Sequence, residues 1–234
     1  MLLKKIMIFS LLFTVLYSNN ENCIIHKKIP NEIVQKMIQG NTWKSGCPVG
    51  IEDLSYLQIR YNDFNGNIKW GELIVNKSVA NKTCKVFDEL FNIKYPIRDM
   101  RLISEFKGDD WLSIEHDNTS AFNCRKITGN KNKWSNHAYG KAIDINPLEN
   151  PYISKTGKIG HKKSQKYRNR KHYNLNNPSD RAVLLKNDPT TLIFKKYGWS
   201  WGGDWKSIKD YQHFEMKSDK KDILGILKRL NLNK

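Results

Sequence analysis

Two short segments far apart in the chain each set histidine beside carboxylate. They are Trp134-Ser-Asn-His-Ala-Tyr-Gly-Lys-Ala-Ile-Asp-Ile-Asn146 and Gly202-Gly-Asp-Trp-Lys-Ser-Ile-Lys-Asp-Tyr-Gln-His-Phe-Glu-Met216. A fold that uses them has to bring them together. In the first, Ile143 and Ile145 alternate with Ala142, Asp144 and Asn146, the period of a strand with one apolar face, so Asp144 points away from the core. His137 lies on the preceding turn, and Gly140 lets that turn fold back until imidazole and carboxylate converge. The small Ala142 leaves room there. In the second segment His213 and Glu215 share one face of a predicted strand, Phe214 and Met216 take the core face, and Asp210 stands at the strand entry. His137, Asp144 and His213 together make an open zinc set. Zinc takes imidazole nitrogen and carboxylate oxygen in tetrahedral array and, in catalytic sites, keeps a fourth position for a water whose pKa falls to about 7. A further carboxylate must accept that water's proton, and Asp210 and Glu215 both lie close to His213 along the chain.

The rest of the chain reads as mixed α+β. Ile33, Val34, Met37 and Ile38 recur at helical spacing before Gly40, which predicts a helix over 31–39. Leu57, Ile59 and Tyr61 alternate, Asn65-Gly66 turns the chain, and Glu72 to Val75 returns, a predicted hairpin. Ser78 is positioned to cap a second helix carrying Val79, Val86, Phe87, Leu90 and Phe91, with a strand-like run, Met100 to Ser104, after Pro96. From about 154 to 180 lysine and arginine crowd among Asn, Gly and Ser with few apolar residues. This basic insertion reads as a mobile, solvated loop, or as a flap that holds an anionic substrate near the site. A helix-like tail runs from Lys221 to Leu230.

The first residues, Met1 to Lys5 and then the apolar run Ile6 to Tyr17, have the shape of a signal peptide over 1–18, cleaved or kept as an anchor. The run falls short of the about 20 apolar residues that cross a bilayer. Cys23 does not mark a lipoprotein, because Asn20-Glu21-Asn22 before it are not small and apolar. The expectation is an exported protein, periplasmic, wall-associated or secreted, with one domain over 19–234 and membrane contact only if the segment is retained. The formal net charge of +17 calls for an anionic partner. No nucleic-acid motif accompanies the lysines, so nucleic acid is not expected, and an exported chain meets acidic wall polymers first. Cys23, Cys47, Cys84 and Cys124 contain no Cys-x-x-Cys pair, so neither a zinc ribbon nor a redox motif is present. Export would permit disulfides among them, in any of the possible pairings, or leave them reduced and buried.

The two histidine segments resemble the zinc-dependent D-alanyl-D-alanine carboxypeptidase family, the VanY-like and VanX-like peptidases, which includes phage L-alanyl-D-glutamate endolysins and shares a fold with hedgehog signalling domains. Ser135, His137, Gly140, Ala142 and Asp144 meet the family pattern Ser-x-His-x-x-Gly-x-Ala-x-Asp, and Asp210 and His213 meet its acid-x-x-His. The resemblance implies a hedgehog/DD-peptidase-like α+β domain whose small antiparallel sheet carries Zn2+ on His137, Asp144 and His213. It implies Asp210 as general base and acid, with Glu215 and Ser135 in supporting positions. Many members have Glu where Asp210 stands, and Asp points toward the endolysin-like branch. Asn118-Thr-Ser-Ala-Phe-Asn-Cys-Arg-Lys126 also resembles that branch, which implies that Arg125 approaches the substrate and the carbonyl oxygen that gains charge.

The function so implied is hydrolysis of peptide bonds in peptidoglycan stems, by a D,D-carboxypeptidase or an L-alanyl-D-glutamate-type endopeptidase. The rival is a zinc-containing wall-binding protein without hydrolytic activity. His26, His116, His161 and His172 lack such company and are expected at the surface. Trp199, Trp201 and Trp205 flank the second segment, as core or as walls of a substrate groove.

Overall fold

The computed structural model describes residues 22–217. The expected signal peptide and the tail from Lys221 lie outside them. Among the described residues no helix is long and apolar enough to cross a membrane.

In chain order the elements are β1 (Cys23–His26), α1 (Asn31–Gln39), β2 (Leu54–Asn62), β3 (Ile68–Asn76), α2 (Lys77–Asn92), α3 (Asp110–Glu115), β4 (Lys126–Ile127), β5 (Asn130–Trp134), β6 (Ala142–Asp144), β7 (Tyr152–Ile153), α4 (Pro178–Arg181), α5 (Pro189–Lys196), β8 (Ser200–Trp201), β9 (Lys209–Asp210) and β10 (His213–Glu215). The class is α+β, as the sequence predicts. β1, β2 and β3 form one antiparallel sheet, and β6, β10 and β8 a second with β10 in the middle. Two ribbons, β4–β5 and β7–β9, complete the strands.

A single apolar mass joins the two sheets. The inward residues of the first, Leu57, Ile59, Leu73 and Val75, pack on Val79, Val86, Phe87 and Leu90 of α2. The core side of the second, Ile143 and Phe214, enters the same cluster. Phe214 stacks on Phe194 of α5 with ring centroids 3.7 Å apart, and Phe194 meets Phe87 edge to face at 6.4 Å. Burying rings of this size stabilises by about 2–3 kcal/mol each, so the second sheet is held by its back and leaves its other face to chemistry. α1 closes a smaller cluster in which Ile33 and Met37 meet Leu54, Tyr56 and Ile74.

Disulfides Cys23–Cys84 and Cys47–Cys124 settle the pairing that the sequence left open. Two local expectations are corrected. The cap of α2 is Asn76, whose Oδ1 accepts from Ser78 N at 3.0 Å, because the helix starts at Lys77, two residues earlier than a Ser78 cap requires. Met100 to Ser104 is not a strand. The Asn118 amide accepts from Arg101 N at 2.7 Å and donates to Arg101 O at 3.1 Å, satisfying the backbone that a strand partner would otherwise pair.

The basic segment is largely exposed, as expected of a solvated loop, and it is anchored from below. Arg170 is half-buried under it and donates to the carbonyls of Glu149 at 2.6 Å and Leu184 at 3.0 Å and to Asn150 Oδ1 at 2.7 Å, while its guanidinium lies over the Tyr211 ring. Beside it Tyr167 donates to Glu149 Oε1 at 3.2 Å. Burial, and then the neighbouring Asp117 carboxylate, push Glu149 up to about 9. The folded form therefore keeps a proton that the unfolded chain releases near 4.5, and stability falls as pH rises through that window. Urea denaturation at pH 5 and pH 8 is expected to show that loss, and Glu149→Gln to flatten it. An unchanged slope in the variant would place the proton elsewhere.

Candidate metal and catalytic centre

The second sheet assembles the site by register. His213 stands directly opposite Asp144 and Glu215 opposite Ala142, while Phe214 and Ile143, paired between them, point into the core. Strand alternation thus sends His213, Glu215 and Asp144 to one face, and alanine opposite Glu215 leaves it space. His137 arrives from the 3-10 turn Asn136–Tyr139. Ser135 Oγ caps that turn, accepting from His137 N at 3.3 Å. Gly140 ends it with φ +66°, and a Cβ there would stand 2.6 Å from Asn76 N. Only glycine satisfies both the left-handed backbone and the close approach.

The donor atoms of His137, Asp144 and His213 all lie within 4.8 Å of one another. His137 Nε2 is 3.3 Å from Asp144 Oδ2 and 3.3 Å from His213 Nδ1, which in turn is 2.9 Å from Asp144 Oδ1. The other ring nitrogens are tied off. His137 Nδ1 lies 2.5 Å from the Ala121 carbonyl, which only accepts, so Nδ1 carries the proton and Nε2 presents a lone pair. His213 Nε2 donates to Glu215 Oε2 at 3.2 Å, which frees Nδ1. Glu215 is itself held by Asn136 Nδ2, from the same turn that carries His137. Two imidazole lone pairs and a carboxylate converge on one point, with outer acceptors fixing both tautomers, and this donor chemistry fits a divalent transition ion.

The electrostatics agree. Burial works against charge on His213, yet hydrogen bonds to Asp144 and Glu215 and the charges of Asp144 and Asp210 outweigh it and lift the ring to about 10. Burial alone would raise Asp144, but the charges of His137 and His213 and their hydrogen bonds hold its carboxyl well below the usual range. The centre is a place where positive charge is strongly favoured.

Asp210 sits on β9 opposite Tyr152, with Oδ1 fully covered and without a hydrogen-bond partner among the described residues. Burial first, then the charge of Asp144, push it up to about 7, against the pull of His213, His137 and Arg125. Gly202 allows this placement, since a Cβ there would meet Asp210 O at 2.4 Å. Arg125 is half-buried, paired through Nε with Asp110, and donates from Nη1 to Lys126 O at 3.2 Å. Trp199 and Trp201 are core residues, whereas Trp205 is half-buried with its ring 5.4 Å from that of His213.

The structure thus brings His137, Asp144, His213, Glu215 and Asp210 together, uses Ser135 as a cap, and sets Arg125 at the side. Sequence reading missed Asn136 and Asp110, which hold Glu215 and Arg125. Asn136 was visible only as the free position in Ser-x-His. Replacing Glu215 by alanine is expected to weaken metal binding about 10–100-fold without abolishing it, read by competition with a chromophoric chelator. Unchanged affinity would show that His213 does not depend on its outer partner.

Residues 128–216 match the model of a family described as D-alanyl-D-alanine carboxypeptidase. No curated protein and no solved structure matches the chain. The matched residues contain the whole donor set, Asp210 and Glu215, and run across the basic segment, while Arg125 precedes them. Over these residues the chain is similar to the D-alanyl-D-alanine carboxypeptidase family, a family of peptidases, which supports the resemblance carried by the two histidine segments.

Proposed function

We propose that the protein is an exported zinc peptidase that hydrolyses peptide bonds in the stems of bacterial peptidoglycan. The observation that carries this is the pair of histidines whose outer nitrogens are tied to Ala121 O and Glu215, so that their free lone pairs face Asp144 beside a covered oxygen of Asp210 that has no hydrogen-bond partner among the described residues. His137 Nε2, His213 Nδ1 and Asp144 would hold Zn2+, which supplies Lewis acidity and makes a water acidic at about pH 7. Asp210 takes the proton of the attacking water on Oδ1 and returns it to the leaving amine, so one carboxyl serves as base and then acid. Its burial keeps bulk water from competing for that proton. Arg125, fixed by Asp110, offers its remaining N–H groups to the oxygen that gains charge or to a substrate carboxylate. Glu215 and Asn136 hold the His213 ring and do no proton chemistry of their own. Two disulfides fit an oxidising compartment and so favour the exported reading.

The test is incubation of the zinc-loaded protein with peptidoglycan fragments followed by mass spectrometry. Loss of a terminal D-alanine names a carboxypeptidase, and a cut inside the stem names an endopeptidase. Zinc bound without any cleavage would overturn the enzymatic reading in favour of a wall-binding protein.

A further inference from the structure

Between Arg125 and Pro178 the sequence holds no carboxylate besides Asp144, which belongs to the donor set, and Glu149, which is buried. Apart from the buried Lys141, the lysines of this stretch lie away from these two carboxylates along the chain, and the fold brings them out in two places. The first is the β4–β5 hairpin, where Asn130 to Lys133 are all exposed and Lys126 Nζ lies 3.5 Å from the centre of the Trp134 ring. The hairpin hangs from the site itself. At its base Ser135 N donates to Arg125 O at 3.1 Å, and His137 follows two residues on.

The second place is the anchored basic segment. It leaves the neighbourhood of Asp210 through the β7–β9 pairing and reaches α3, where a Cβ at Gly160 would stand 3.2 Å from the Trp111 ring and the His161 ring lies 5.3 Å from it. α3 begins at Asp110, the partner of Arg125. One group of lysines thus borders the centre beside Arg125 and His137, and the other between Asp210 and Arg125. Lys131, Lys133, Lys158, Lys162 and Lys163 are exposed, and no described carboxylate forms an ion pair with them.

We propose that this rim, the β4–β5 hairpin with the Lys158–Lys163 stretch, docks a phosphodiester-linked anionic polymer of the bacterial wall and so holds the centre against the peptide stems. The proposal rests on the reading that the substrate is wall peptide. A single stem carboxylate needs one cation in a fixed geometry, which is what the Asp110-held fork of Arg125 offers. Spread lysines on a hairpin and a turn are point charges on flexible stems. They suit a ligand with repeated phosphates and no fixed shape, where each contact releases a counterion and adds to affinity.

The experiment uses the full zinc-loaded chain, Lys131→Gln/Lys133→Gln and Lys158→Gln/Lys162→Gln/Lys163→Gln. Each is sedimented over a salt series with intact walls and with walls stripped of phosphodiester polymer by acid, and each is assayed on a soluble stem peptide. Affinity for intact walls is expected to fall roughly 10- to 100-fold in either variant, with a shallower salt slope. The parent should lose a similar factor on stripped walls, and soluble hydrolysis should not change. Variants that bind intact walls like the parent, or a parent that binds stripped walls equally well, would overturn the proposal. So would tighter binding to duplex DNA or to anionic vesicles at the same salt. If a variant fails to fold, the parent's intact-against-stripped comparison decides alone. Absence of hydrolysis in the parent counts against the peptidase reading and leaves the binding result standing.

Discussion

Asparagine at position 210 is expected to leave zinc bound and to lower kcat on a stem peptide by about 10²–10⁴-fold. The side chain keeps its shape but can no longer take a proton. The natural carboxyl is well suited to do so, because Oδ1 has no competing partner among the described residues and burial holds its pKa near neutrality, at about 7. A cation at the donor set adds to the pull of His213, His137 and Arg125, so in the loaded enzyme the ionised form needed to receive a proton dominates at neutral pH. His137→Ala and His213→Ala should behave differently, losing metal together with activity. Metal content by atomic emission, measured beside kcat, separates the two patterns. If Asp210→Asn kept a third or more of the parent rate, Asp210 would not be the base, and Glu215, the other carboxylate on the His213 side, would take its place in the scheme.

Replacing Cys47 and Cys124 together by alanine is expected to cost about 4 kcal/mol, from the loop-closure entropy of a bridge spanning 77 residues. Against a whole-domain stability of about 5–15 kcal/mol that is a large fraction. The bridge has a second effect, through position. Cys124 adjoins Arg125 and lies three residues after Ala121, whose carbonyl fixes the His137 tautomer, so freeing it should weaken metal binding as well as stability. Cys23–Cys84 closes a span of 61 residues and ties β1 to α2, neither of which supplies a donor. Its removal should cost a similar amount of stability and leave metal affinity alone. Urea denaturation and chelator competition on both double variants test the contrast. Equal metal affinity in the two would show that the Ala121–Arg125 segment is held by its hydrogen bonds without the bridge.

The donor set was legible because its chemistry is written locally. Alternation around Ile143 and Phe214 tells which face His213 and Asp144 take, and Gly140 marks the return of the turn. The helix over 31–39 and the β2–β3 hairpin were legible for the same reason, since helical or two-residue periodicity survives in any context that buries one face. Distant partners decided what was misread. Asn118 satisfies the backbone of Arg101 from 17 residues away, and no pattern within Met100 to Ser104 announces that. Arg170 looked like one cation among many, because a half-buried arginine differs from a solvated one only in having carbonyls of Glu149 and Leu184 to receive it. Asp110 and Asn136 were invisible as holders of Arg125 and Glu215 until the chain had folded.

The central place of β10 also bears on how long the protein lasts. Its His213 meets an aspartate 69 residues earlier, and with only three residues β10 pairs with β6 on one side and with β8 on the other. An ion bridging that cross-strand pair acts as a clasp. At a free concentration a thousandfold above its dissociation constant it adds about 4 kcal/mol to the folded state. Chelation would withdraw that contribution and favour opening of the β6–β10 seam, where a protease could enter. With the ion bound as proposed, its supply would govern how many copies survive as well as how fast each one works.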